Sequence, residues 1–135
     1  MCESPVGTYP AIRRGKEQRL ERSDDLAARC AELLAANRTL FDADHPEAAY
    51  HALMAALHCA ADLEDAPTLR RIEARAVEQH LRVMQRLRPV PPGESHDVRE
   101  TTRWASLERV YATAERQAST KASTLEVYGR GGAQP

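Results

Sequence analysis

An all-α fold, an antiparallel four-helix bundle, is predicted by three observations. Apolar residues recur at helical spacing and never alternate as they would in strands. Of 135 residues only six are aromatic (Tyr9, Phe41, Tyr50, Trp104, Tyr111 and Tyr128), so the core must be built from Ala, Leu, Val and Met, which suits closely packed helices. Helix start and stop signals cut the chain into four segments joined by short connections.

The first 15 residues carry Pro5, Gly7, Pro10 and Gly15 and read as an irregular arm, ahead of a bundle domain over 16–121. A first helix is predicted over 16–40. Leu26, Ala27, Cys30, Leu33, Leu34 and Phe41 fall on one of its sides. Asp44-His45-Pro46-Glu47 then announces a second helix: Asp44 is the expected cap, Pro46 is tolerated in the first turn, and Glu47 is placed to close a capping box.

That second helix is predicted to run to residue 64, where Asp65-Ala66-Pro67 repeats the start signal with Asp65 as the cap. The third helix has the stripe Leu69, Ile72, Ala76, Val83, Met84 and Leu87, and must stop before Pro89, Pro91, Pro92 and Gly93. A fourth begins at Ser95 or Asp97 and ends near residue 119, with Trp104, Leu107, Val110, Tyr111, Ala114 and Ala118 inward. A flexible tail is expected over 122–135, which is rich in Gly.

Charge supports a tight central αα-hairpin of the second and third helices. Residues 42–65 hold six acids (Asp42, Asp44, Glu47, Asp62, Glu64, Asp65) and no Lys or Arg. Residues 70–88 hold six arginines: Arg70, Arg71, Arg75, Arg82, Arg86 and Arg88. An antiparallel hairpin brings Arg86 and Arg88 toward Asp42 and Asp44, and Arg70 and Arg71 toward the 62–65 turn, each pair worth on the order of 0–1 kcal/mol at the surface.

Bulk properties exclude several function classes. A net charge of −1 gives no global attraction to nucleic acid or anionic membrane. No apolar run approaches the roughly 20 residues of a membrane span, and Met1-Cys2-Glu3-Ser4-Pro5 does not have the form of a signal peptide. Three cysteines (Cys2, Cys30, Cys59) without paired spacing point to free thiols and a cytoplasmic location. Arginine is strongly preferred to lysine, which occurs only as Lys16 and Lys121, a bias expected of a GC-rich bacterial genome. There is no Gly-rich phosphate loop, nucleophile elbow or Cys-x-x-Cys, so no catalytic residue is assigned.

One constellation could carry chemistry. At ~100° per residue, Glu47, His51, His58, Asp62 and Asp65 fall within ~60° on an otherwise apolar helix. Glu73 and His80 lie on the apolar side of the next helix, and a hairpin turn between residues 65 and 66 sets His51 level with His80 and His58 level with Glu73. His51, His58, Glu73 and His80 are therefore the candidate ligands for zinc or iron in the bundle core. The competing expectation needs no cofactor: a solvent-facing stripe on one helix and a hydrogen-bonded, half-buried histidine on the other.

Two further patterns concern RNA and partner binding. Arg75-Ala-Val-Glu-Gln-His80 resembles the Arg-x4-His element of HEPN-type ribonucleases, small helical bundles that act on RNA as dimers. The resemblance covers six residues, with Ala76 where those proteins usually have a polar residue, and a straight helix turns the two side chains ~140° apart. Arg71, Arg75, Arg82 and Arg86 form a stripe opposite the apolar side, read as a solvated, partly paired face because no exposed aromatic interleaves it. The functional expectation is a protein-interaction or regulatory module acting as a homodimer, with Trp104 and Tyr111, seven apart on one face, as aromatic anchors of the core or of the interface. The alternative is the metal-binding bundle.

Overall fold

The computed structural model describes residues 8–87 and 97–132, with the side chains of 15–87 and 97–129. These residues form four helices: α1 (Thr8–Asp42), α2 (Pro46–Asp62), α3 (Ala66–Arg86) and α4 (Val98–Gly132). The architecture is an all-α bundle. The Pro-rich stop signal after α3 and Arg88 lie outside the described residues.

Two connections share one geometry. Asp44 (φ 67°) and Glu64 (φ 52°) take the left-handed conformation two residues past the ends of α1 and α2. In the first, His45 N donates to Leu40 O and Asp44 N to Phe41 O; in the second, Asp65 N donates to Ala60 O and Glu64 N to Ala61 O. Each is a Schellman-type close that satisfies the last carbonyls of one helix just before the next begins. The sequence expectation of Asp44 as the cap of α2 is therefore corrected: His45 holds that position, and its side chain makes no capping bond. Asp44 is instead among the residue types that best tolerate the left-handed turn. Asp65 does cap α3, accepting from Thr68 N at 3.1 Å and from Thr68 Oγ1 at 2.6 Å. Asp97 opens α4 by accepting from Arg99 N at 3.0 Å.

Helix boundaries differ from the sequence expectation at both ends. α1 begins at Thr8, within the stretch read as an irregular arm, and α4 continues to Gly132, through most of the expected tail. Pro10 stands in the first turn of α1 and Gly131 and Gly132 in the last turn of α4, where their helix-breaking cost is smallest.

The intimate pairs are α1 with α2 and α3 with α4. Both are antiparallel: Cys30 meets Ala56 and Asn37 meets Ala49, while Arg70 meets Glu126 and His80 meets Glu108. α2 and α3 form the predicted hairpin through a tight turn but pack less extensively than either of these pairs. α2 and α4 run parallel, with Tyr111 Oη donating to Pro46 O at 2.9 Å. α1 and α3 also run parallel but stay further apart, joined by long side chains: Arg75 to Leu34 O, Arg38 to Glu78, and Arg82 to Asp42.

Leu53, Ala56, Leu57 and Ala60 of α2, Leu69, Ile72, Ala76 and Val83 of α3, and Tyr111, Ala114, Ala118 and Ala122 of α4 are all fully buried. The many alanines let these backbones approach closely, and the larger side chains fill the space between them. α1 contributes Cys30 and packs Leu33, Leu34 and Phe41 against this core. Because Cys30 is level with Ala56, the part of α1 before residue 23 runs beyond the α2–α3 turn. Residues 16–25 are accordingly exposed.

Candidate functional site

The four proposed ligands are not brought together. His51 and His58 are exposed on α2, on the side of α2 that borders α4. His51 leans on Tyr50, with ring centroids 5.3 Å apart, and shares a groove of about 270 Å³ with Glu47, Arg103, Ser106, Leu107 and Val110. His58 lies further along, beside Arg116, Gln117 and Lys121 of α4. Glu73 is tied to Arg70 at 3.1 Å on the opposite flank of α4.

His80 also faces α4. Its Nε2 lies 2.9 Å from Glu108 Oε1 and its Nδ1 3.2 Å from Glu115 Oε2, with the side chain 16% exposed. Both ring nitrogens are thus committed to carboxylates seven residues apart on α4, and the imidazole ties α3 to that helix. The equal heights read for His51 and His80 assumed that the two faced one another across an α2–α3 hairpin. Instead the bundle turns the His80 side of α3 toward α4. Among the described residues, no group of three or more His, Cys, Asp or Glu is arranged to hold a metal ion.

Of the two roles expected of Trp104 and Tyr111, anchors of the core or of an interface, it is the first that holds: both belong to the core of this chain. Tyr111 is fully buried, with Phe41 and Tyr50 edge-on at centroid distances of 5.9 and 5.8 Å. Burial pushes its phenol pKa above the ordinary tyrosine value, helped by the Glu47 charge. Trp104 is 6% exposed, with the Arg86 and Arg103 guanidinium groups 5.0 and 5.1 Å from its ring centroid. Arg86 reaches Asp44 at 3.5 Å, and Arg103 forms a forked pair with Glu47. The Arg103 bond lowers the Glu47 pKa below its usual value, and Glu47 in turn raises that of Arg103. The capping-box role expected of Glu47 gives way to this pair.

The arginine stripe of α3 is turned toward α1. Arg75 donates to Leu34 O, and burial, followed by the nearby Arg38 charge, lowers its pKa. Arg86 meets Asp44, as charge patterning predicts; Arg82, which that pattern did not name, meets Asp42, and both arginines line a cavity of about 610 Å³ with Phe41 and Trp104. Arg70 departs from that expectation: it forks onto Glu126 at 2.7 Å and takes Glu73 as a second partner, both raising its pKa. Arg71 bonds Thr68 Oγ1 at 3.2 Å. The HEPN-like pair diverges, Arg75 pointing to α1 and His80 to α4, so the two cannot act on one phosphodiester.

Asn37 and Gln79 were missed by sequence reasoning, and both are buried. Asn37 Nδ2 donates to Ala49 O at 2.7 Å and to Gln79 Oε1 at 3.0 Å, and Gln79 Nε2 returns a bond to Asn37 Oδ1 at 2.7 Å. A signal was present: Asn37 falls on the same stripe as Cys30, Leu33, Leu34 and Phe41, and Gln79 between Ala76 and Val83. Cys30 is buried and donates to Ala56 O at 3.6 Å, and burial, then Cys59, raises its thiol pKa. That environment suits an inert core thiol.

No protein-family model matches the chain, and no curated protein and no solved structure is similar to it. Function therefore rests on the chain's own geometry.

Proposed function

We propose that this chain is a non-catalytic helical interaction module that acts as a homodimer. The supporting observation is where apolar surface remains exposed. Glu47, Arg70, Arg75 and His80 are engaged in holding helices together, whereas Leu81 and Met84, three apart on α3, stand 55% and 47% exposed. Neighbouring large apolar side chains left in solvent on one face mark surfaces that are covered by a partner. Cys30 and Cys59 are free thiols, which supports a reducing, cytoplasmic setting.

Sedimentation velocity over about 1 to 100 µM tests this reading, a range that brackets weak and moderate self-association. A mass rising with concentration toward twice the 15.0 kDa of the chain is expected. A monomer throughout overturns the homodimer.

A further inference from the structure

α3 carries a second stripe with the same alternating spacing as its buried one, on a face that the core of this chain does not use. Leu69, Ile72, Ala76, Gln79 and Val83 are buried. Turned away from that side, Ala74, Val77, Leu81 and Met84 follow one another at intervals of three, four and three residues. This is the spacing of a helix-pairing seam. Ala74, Leu81 and Met84 are exposed and Val77 is half-buried. No charged residue interrupts these four positions. The preceding seam position is Arg70, whose guanidinium is held by Glu126 and Glu73 on its α4 side. Ala105 and Ala112, half-buried on α4 beside Glu108, widen this apolar surface.

We propose that a second copy of the chain docks antiparallel on this seam, Leu81 and Met84 of each copy packing over Val77 and Ala74 of the other. This rests on the reading of the protein as a homodimeric interaction module and names its surface. The occupant follows from the order of sizes along the seam, which rises from Ala74 through Val77 to Leu81 and Met84. A two-fold axis near residue 79 sets residue 74 level with residue 84 and residue 77 level with residue 81, so every contact pairs a longer side chain with a shorter one. A parallel pairing would set Met84 on Met84, Leu81 on Leu81 and Ala74 on Ala74, crowding one end and leaving a gap at the other.

Charge agrees with the antiparallel choice. Beside the seam, the two Glu78 carboxylates flank the axis, and each also comes within a helical turn of the other copy's Arg82, so the two arginines bracket the two carboxylates. In the single chain these two residues are 3.7 Å apart and about half exposed. Even with Arg38 and Asp42 beside them, both keep surface for a further partner. Four seam residues a side make an interface well below the standard specific size, and the dimer is accordingly weak and concentration-dependent.

The test uses the full-length chain in two ways. First, Leu81→Glu is compared with Val127→Glu, which places the same charge at a residue also highly exposed but on α4. Both are expected to keep the wild-type circular dichroism. In sedimentation, Leu81→Glu weakens dimerisation by at least about tenfold, because a carboxylate is then held against an apolar surface, while Val127→Glu leaves it unchanged. Second, an equimolar mixture of Ala74→Cys and Met84→Cys chains, oxidised, gives a disulfide-linked heterodimer above the wild-type background, and neither variant alone does so.

A wild-type dimer that tolerates Leu81→Glu, or that gives no mixed cross-link, overturns the seam while leaving self-association in place. A wild-type monomer at every concentration overturns the seam together with the reading beneath it.

Discussion

α3 is flanked by α1 on one side and α4 on the other, and the two seams are built differently. Toward α4 the backbones approach closely, and buried alanines (Ala76, Ala114, Ala118, Ala122) line the shared core. Toward α1 the backbones stand apart and long polar side chains span the gap: the Asn37–Gln79 amide pair, Arg75 to Leu34 O, and the Arg38–Glu78 and Arg82–Asp42 ion pairs. A close seam is sensitive to added volume, whereas a wide one is sensitive to loss of a hydrogen-bond partner. The same helix therefore fails in opposite ways on its two sides.

The largest expected effect lies in the wide seam. Asn37→Ala leaves the Gln79 amide buried without its partner and removes the second bond to Ala49 O, at a cost of about 1–3 kcal/mol in urea or thermal unfolding. Converting both Asn37 and Gln79 to Leu is expected to recover much of that loss, since no buried polar side chain is then left unpaired. If the double variant is no more stable than Asn37→Ala, the amides are not coupled and the contrast between the seams fails.

In the close seam, Ala118→Leu adds volume where Ala118 has no exposed surface and is expected to cost about 1–3 kcal/mol, toward the middle of that range. The same change at exposed Ala74 is expected to leave the monomer's stability within about 0.5 kcal/mol. Equal losses at the two alanines would show that α3 and α4 are not held at a spacing set by small residues.

The smallest effect concerns the end of the bundle where Glu47 pairs with Arg103. The Glu47 pKa is lower folded than unfolded, so its stabilising contribution is present above the ordinary carboxylate range and is lost as pH falls through the folded value. Side chains 49% and 38% exposed keep that contribution small, under about 0.5 kcal/mol after solvent screening. Arg103→Gln should slightly flatten the acid limb of the stability–pH curve and leave neutral-pH stability almost unchanged. A steeper acid limb in that variant would contradict the assignment.

How much of this was legible beforehand depends on the range of the interaction concerned. Asp65 as a cap of α3 could be read from a few adjacent residues, because a side-chain oxygen reaches only the first turn. The two turns of identical build were legible as two start signals. Asp44 was misplaced by one residue because Asp is favoured both as a cap and in the left-handed conformation, and only the backbone bonds from Asp44 N and His45 N decide between them. His80 was singled out from its spacing, yet its partners Glu108 and Glu115 lie on α4, a helix the sequence argument had not placed beside it.

The sequence by itself determined that the chain is helical, where α2 and α3 begin, and which side of each helix avoids water. Those properties follow from periodicity and capping, which act within one or two turns. Only the tertiary structure decided which helices are neighbours: it paired α1 with α2 and α3 with α4, turned the arginines of α3 toward α1, and separated His51 and His58 from His80. Those outcomes depend on backbone distances summed over the whole core, where the sizes of residues far apart in sequence determine how closely two helices approach.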